Sequence, residues 1–203
     1  MRQDNGQSTH WPPLTAADWR YELKLVCPQA KLAAARSWIL QHPEGMRVAY
    51  VPRLVRSLYL DTPALNSFEA NVAGVSRRQK LRLRWYGSST GRVENPVLEL
   101  KFKENTEGGK RREKLNWMLD WKRPYFILLG ELRQAAGAKW ASWLSGATEA
   151  VLLNQYAREY YVSPDGQLRM TLDYDLRAFD QRLLGRPNLR QALPLPATAI
   201  IEI

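Results

Sequence analysis

Two segments place apolar and ionic residues at strictly alternate positions: residues 80–86 read KLRLRWY and residues 97–103 read VLELKFK. Alternation with a period of two is the pattern of a β-strand whose faces differ in polarity. It recurs in residues 21–26, YELKLV, in residues 154–162, NQYAREYYV, in QLRMTLDYDLRAF and in the closing AIIEI at 199–203. The segment 55–61, VRSLYLD, is rich in strand formers and is stopped by Thr62 and Pro63. The period lengthens to that of a helix in three places. One follows Pro28 through KLAAARSWILQ, with Leu32, Ala35, Ile39 and Leu40 as its stripe; one lies near 65–72; one covers 122–144, with Gly130 and Gly137 as breakers. Gly108 and Gly109 predict a hairpin with a long, mobile tip, and Ser-Pro-Asp-Gly at 163–166 predicts a turn. Strands joined mainly by hairpin-like turns, with helices between some of them, predict an α+β fold built on a large antiparallel sheet or barrel.

The alternation leaves open which face is inside. Glu22 and Lys24; Lys80, Arg82 and Arg84; Glu99, Lys101 and Lys103; Arg158 and Tyr160; Arg169, Thr171, Asp173 and Asp175; and Glu202 form charged or polar stripes on separate segments. A one-sided sheet turning every stripe to solvent fits this spacing. So does a barrel with an ionic interior and a helix-covered exterior. Arginine, whose planar fork matches phosphate, is prominent in the stripes, and Leu81, Leu83 and Trp85 or Leu98, Leu100 and Phe102 on the opposite face suit packing under helices.

Composition narrows the function. The chain has 203 residues, enough for one domain with appendages, and a net charge of +10, which suggests an anionic partner. Cys27 is the single cysteine, so no internal disulfide and no cysteine-rich zinc site is expected. No secretory h-region and no bilayer-length apolar run occurs, and a cytoplasmic protein is the expectation. Residues 1–15 read as a flexible leader and residues 16–203 as the folded domain. His10 and His42 read as incidental, and Lys103, Lys122 and Arg123 as surface charges. Ser57 and Thr171 lack a nearby histidine to activate them, against a hydrolase triad.

In order along the chain, YELK at 21–24, SLYLDTP at 57–63, KLRLRWY at 80–86, LELK at 98–101 and GKRR at 109–112 resemble the VTC domain. This is the polyphosphate-polymerase domain of the vacuolar transporter chaperone family, within the CYTH-like triphosphate tunnel metalloenzymes. The resemblance runs from Tyr21 to Ile203 and is nearest to a stand-alone, bacterial-type domain, without the SPX domain and membrane segments of the eukaryotic proteins. It implies an antiparallel tunnel of about eight strands with flanking helices, holding ATP or another triphosphate and inorganic polyphosphate, with Mn²⁺ or Mg²⁺ at one end. Carried over, Lys24, Arg82, Arg84, Lys101, Arg158 and Arg169 become the phosphate ligands of the reaction. Lys80, Lys110, Arg112 and Tyr59 are further phosphate-binding candidates, although three basic residues in a row at 110–112 leave inward parity open. Glu202 takes the place of the family's metal-binding glutamate, with Glu22 and Glu99 as helpers. Family members continue past this strand with a basic residue, so either the domain extends beyond Ile203 or the barrel lacks its last contribution.

Phosphoryl transfer needs in-line positioning and charge neutralisation more than covalent help, so a basic tunnel suits it. The implied reaction moves the γ-phosphoryl of ATP onto a polyphosphate chain; delivery to water, giving a triphosphate or polyphosphate hydrolase, and a non-catalytic polyphosphate-binding module are the alternatives. Asp173 and Asp175 either join a metal site or balance nearby arginines. Nucleic-acid binding is not expected, because the aromatic residues fall mainly on apolar faces and in helical segments. Oligomeric state is not legible.

Overall fold

The structure, a computed structural model, describes residues 22–87, 91–105 and 107–203. The expected leader, His10 and Tyr21 lie outside the described residues. In chain order the elements are β1 (Lys24–Pro28), α1 (Leu32–Leu40), β2 (Arg47–Asp61), α2 (Asn66–Val72), β3 (Arg77–Tyr86), β4 (Arg92–Glu94), β5 (Val97–Glu104), β6 (Glu107–Lys114), β7 (Met118–Asp120), α3 (Tyr125–Ala136), α4 (Ala141–Gly146), β8 (Glu149–Val162), β9 (Arg169–Asp180) and β10 (Thr198–Glu202). Eight strands form one sheet in the order β1-β10-β9-β8-β2-β3-β5-β6, with every neighbouring pair antiparallel, as the α+β expectation had it. β4 and β7 form a separate two-stranded ribbon that the sequence reading lacks.

The sheet is strongly curled. β1 and β5 are six strand positions apart, which in a flat sheet would separate them by about 29 Å. Yet Lys101 Nζ on β5 lies 2.7 Å from the carboxylate of Glu22, just ahead of β1. Backbone bonds between Leu23 and Ile203 extend the β1–β10 ladder to that point. The edge strands β1 and β6 are not hydrogen-bonded to each other among the described residues, so the tunnel is a curled sheet with a seam.

The apolar stripes face outward. Leu81, Leu83 and Trp85 of β3 and Leu98, Leu100 and Phe102 of β5 are buried in one cluster with Leu119, Trp121, Leu128, Leu132, Trp140 and Leu144, beneath α3, α4 and the β4–β7 ribbon. A smaller cluster packs Ala35 and Ile39 of α1 against Met170, Leu172, Ala199 and Ile201. With the outer face covered this way, the ionic face is left to the inside of the curl.

Several local expectations change. The helix after Pro28 starts later, because Pro28 closes β1 and a 3₁₀ turn, Gln29–Lys31, precedes α1; Leu40 is exposed. β2 starts at Arg47, well ahead of the expected 55. Its first half contains Pro52 and register breaks between Val48 and Tyr50 and between Tyr50 and Arg53, features that disguise a strand in sequence. The 108–109 glycines do not make a long tip: β5 ends at Glu104, β6 resumes at Glu107, and both glycines lie within β6. Of the two expected helix breakers only Gly137 acts, with φ 70° after the last turn of α3, while Gly130 sits inside that helix.

Candidate functional site: an ionic channel

Cross-strand register sets the interior in rows. Tyr59, Arg82, Glu99 and Arg112 stand side by side on β2, β3, β5 and β6. Next to them run Lys80, Lys101 and Lys110, and on the other side Ser57 and Arg84. The parity of the 110–112 run is thereby fixed: Lys110 and Arg112 share the inner face, while the Arg111 guanidinium lies outside over the rings of Trp140 and Trp143, at 5.6 and 5.2 Å.

Glu99 organises the first group. Its carboxylate, 2% exposed, accepts from Arg82 at 2.7 and 2.8 Å and from Arg112 at 2.8 Å, and lies 3.5 Å from Arg84. Arg82 also donates to the Tyr59 hydroxyl at 3.2 Å, and Arg84 donates to Ser57 at 3.2 Å and to the Tyr156 hydroxyl at 3.3 Å. Burial alone would raise the Tyr59 phenol; Arg82, Arg84 and Lys80 outweigh it and hold it below its ordinary value. Burial together with Lys101, Lys24 and Arg78 lowers the Lys80 ammonium, against an upward pull from Tyr59, so the lysines of β1, β3 and β5 feel one another's charge.

Across the channel, Arg158 on β8 makes two 2.6 Å hydrogen bonds to Asp173 on β9 and a third, at 3.0 Å, to Glu202 on β10. Asp173 therefore balances an arginine, and Asp175 instead accepts from Gln29 at 2.6 Å. Lys24 lies 3.1 Å from Glu22 and 3.8 Å from Glu202. A hydrogen bond to Glu202 is the main cause that holds Glu22 well below the carboxylate range, whereas burial and that same bond hold Glu202 above it. Arg169 stands apart, exposed at the start of β9 two positions from Thr171, and makes no ion pair among the described residues. Lys24, Lys80, Arg82, Arg84, Lys101, Lys110, Arg112 and Arg158 thus line one face, with Arg169 at its end. Sequence reasoning missed Ser57 and Tyr156 as arginine partners; Tyr156 has the same strand parity as Arg158, which was the available signal.

Two neighbouring carboxylates, Glu22 and Glu202, are a donor set that a hard divalent ion fits, since such ions bind through one or two carboxylates plus substrate phosphates. The buried Thr171 hydroxyl, on the residue directly opposite Glu202 in register, has no hydrogen-bond partner among the described residues. Glu22 and Glu202 would hold the ion. Glu99 does not fit, because its oxygens are taken by arginines, and among the described residues no three acidic, histidine or cysteine side chains form a metal cage.

A curled antiparallel sheet with a basic interior and a carboxylate pair inside it is a tunnel-like fold. The VTC domain pattern matches residues 19–203, and the chain belongs to the VTC domain family. That family acts on phosphoryl groups within triphosphate tunnels and generally uses divalent metal ions. No protein of curated function matches the sequence. Among solved structures, a Vibrio parahaemolyticus protein provisionally described as an adenylate cyclase is similar at 12% identity and TM-score 0.46, covering 91% of this chain and 76% of that one. A Hippeastrum protein, provisionally described as an adenylyl cyclase with a dominant triphosphatase activity, is similar at 16% identity and TM-score 0.42, with 89% and 77% covered. A Pyrococcus horikoshii protein follows at 15% identity and TM-score 0.41, with 90% and 77% covered. Likeness this loose bears on no question of activity.

Proposed function

We propose that this domain is a metal-dependent phosphotransferase of the polyphosphate polymerase type, moving the γ-phosphoryl of ATP onto the end of a polyphosphate chain. The observation that carries the reading is the row Lys80, Lys101 and Lys110 on three adjacent strands beside Arg82, Arg84 and Arg112. Like charges directly opposite on neighbouring strands cost stability, and a bound polyanion removes that cost. In the reaction the bond from the β–γ bridging oxygen to the γ-phosphorus breaks, a terminal polyphosphate oxygen bonds to that phosphorus, and ADP leaves. Arg82, Arg84 and the lysines would neutralise the phosphoryl oxygens, while Arg158, anchored by Asp173, would fix the chain's path. A divalent ion held by Glu22 and Glu202 would add charge and orient the triphosphate.

Incubation with ATP and Mn²⁺ or Mg²⁺ should yield ADP and polyphosphate in step. Arg82→Ala and Glu202→Ala should each lower turnover on the order of 10²-fold with the fold intact by circular dichroism. Free phosphate in place of polymer would assign the hydrolase reaction. Tight polyphosphate binding without turnover under any divalent ion would assign a binding module.

A further inference from the structure

At one end of the ionic face the Arg53 guanidinium of β2 lies among three tyrosines, 5.4 Å from the ring of Tyr50, 5.8 Å from Tyr86 and 5.9 Å from Tyr160. Tyr50 and Tyr160 meet edge to face at 5.7 Å. An energetically significant cation–π contact occurs about once in 70–80 residues, so three on one guanidinium mark a built cluster. It has no carboxylate: Arg53 makes no ion pair among the described residues, unlike Arg82, Arg84 and Arg158 nearby. It is also open, with Tyr50 59% and Tyr86 42% exposed.

The cluster continues the channel. Arg53 stands directly opposite Arg158 and Tyr50 opposite Tyr160, while Tyr86 follows Arg84 and Tyr160 follows Arg158 by two positions on the same inward parity. Two residues of strand span about 7 Å, a gap that a pentose bridges. We infer that Arg53, Tyr50, Tyr86 and Tyr160 form a subsite for the planar base of a nucleoside triphosphate whose phosphates lie along Arg84 and Arg158, an inference that rests on the proposed ATP-using function. Stacking on tyrosine and guanidinium faces accepts any base, so the subsite distinguishes a nucleotide from a bare phosphate chain without selecting adenine. It also orients the donor: with the base at this end, the terminal phosphate points toward Lys80, Lys101 and the Glu22–Glu202 pair.

Calorimetric titration with ATP and with inorganic tripolyphosphate separates this subsite from the channel. Tyr86→Ala, Arg53→Ala and Tyr50→Ala should each weaken ATP binding roughly tenfold while leaving tripolyphosphate binding unchanged, and Tyr86→Phe should keep the affinity of the native protein. Tyr50, the most exposed ring, supplies the variant least tied to folding, and retained tripolyphosphate binding reports an intact channel. Unchanged ATP affinity in all three alanine variants, or equal weakening for both ligands, overturns the subsite and leaves the proposed function standing. A native protein that binds neither ligand overturns the proposed function, and this inference with it.

Discussion

Glu99 meets three guanidinium groups with two oxygens, and that arrangement is testable at the scale of a single atom exchange. Burial would lift its carboxyl, but Arg82, Arg84 and Arg112 outweigh burial and hold it below the ordinary carboxylate value. A group depressed in this way contributes stability that is complete above its unfolded pKa and is lost as pH falls through the folded one. Native protein should therefore lose this contribution below about pH 4, and Glu99→Gln should lack that acid-side step when melting is followed against pH. At neutral pH the same substitution leaves buried arginines without a counter-ion, so it should cost about 3 kcal/mol. Saturating tripolyphosphate should recover much of that loss in thermal melts, because the ligand supplies the missing negative charge. The charged residues of this network were legible from alternation together with family resemblance. Which carboxylate serves arginines and which pairs near a metal was not, since Glu22, Glu99 and Glu202 share one parity pattern and differ only in three-dimensional neighbours.

At the scale of elements, Gly130 and Gly137 look alike in sequence and behave oppositely. Gly137 ends α3 with φ 70° and ψ −174°, a conformation that is essentially glycine-only, and Gly137→Ala should destabilise by about 1–3 kcal/mol. Gly130 lies in the helix with open space where a Cβ would stand, so Gly130→Ala should stabilise by about 0.4–1 kcal/mol in denaturant titration. Helical periodicity across 122–144 could locate α3 and α4 but could not say which glycine carries positive φ, because that depends on where the chain must turn. β5 was readable almost residue for residue and β3 from Lys80 onward, where Leu81, Leu83 and Trp85 are buried; the first three residues of β3, Arg77–Gln79, lack that contrast and were missed. The first half of β2 was not: Pro52, register breaks and exposed Val48, Tyr50 and Val51 remove the contrast on which pattern reading relies. The β4–β7 ribbon, three residues per strand, is too short to show a period.

At the scale of the molecule, the +10 charge suits the polyanionic ligand of the proposed function. Tripolyphosphate or longer polyphosphate should raise the melting temperature strongly at low salt and less at high salt, and AMP should do little at either. Equal shifts with AMP and tripolyphosphate would contradict a site matched to phosphate chains. The curl itself was not legible in alternation, which gives the two faces of a sheet but not its bend; resemblance supplied it. Under the proposed function, the seam between β1 and β6, spanned by the Lys101–Glu22 ion pair, would also govern how a long polymer leaves. A chain enclosed by an unbroken ring of backbone bonds can escape only by reptating past its ends, so its release slows as it grows. A chain held behind a lysine–glutamate latch can slip out sideways wherever the latch opens. Dissociation rates measured for polyphosphates of increasing length should then level off once the channel is filled, giving a product-release step indifferent to how much polymer hangs outside.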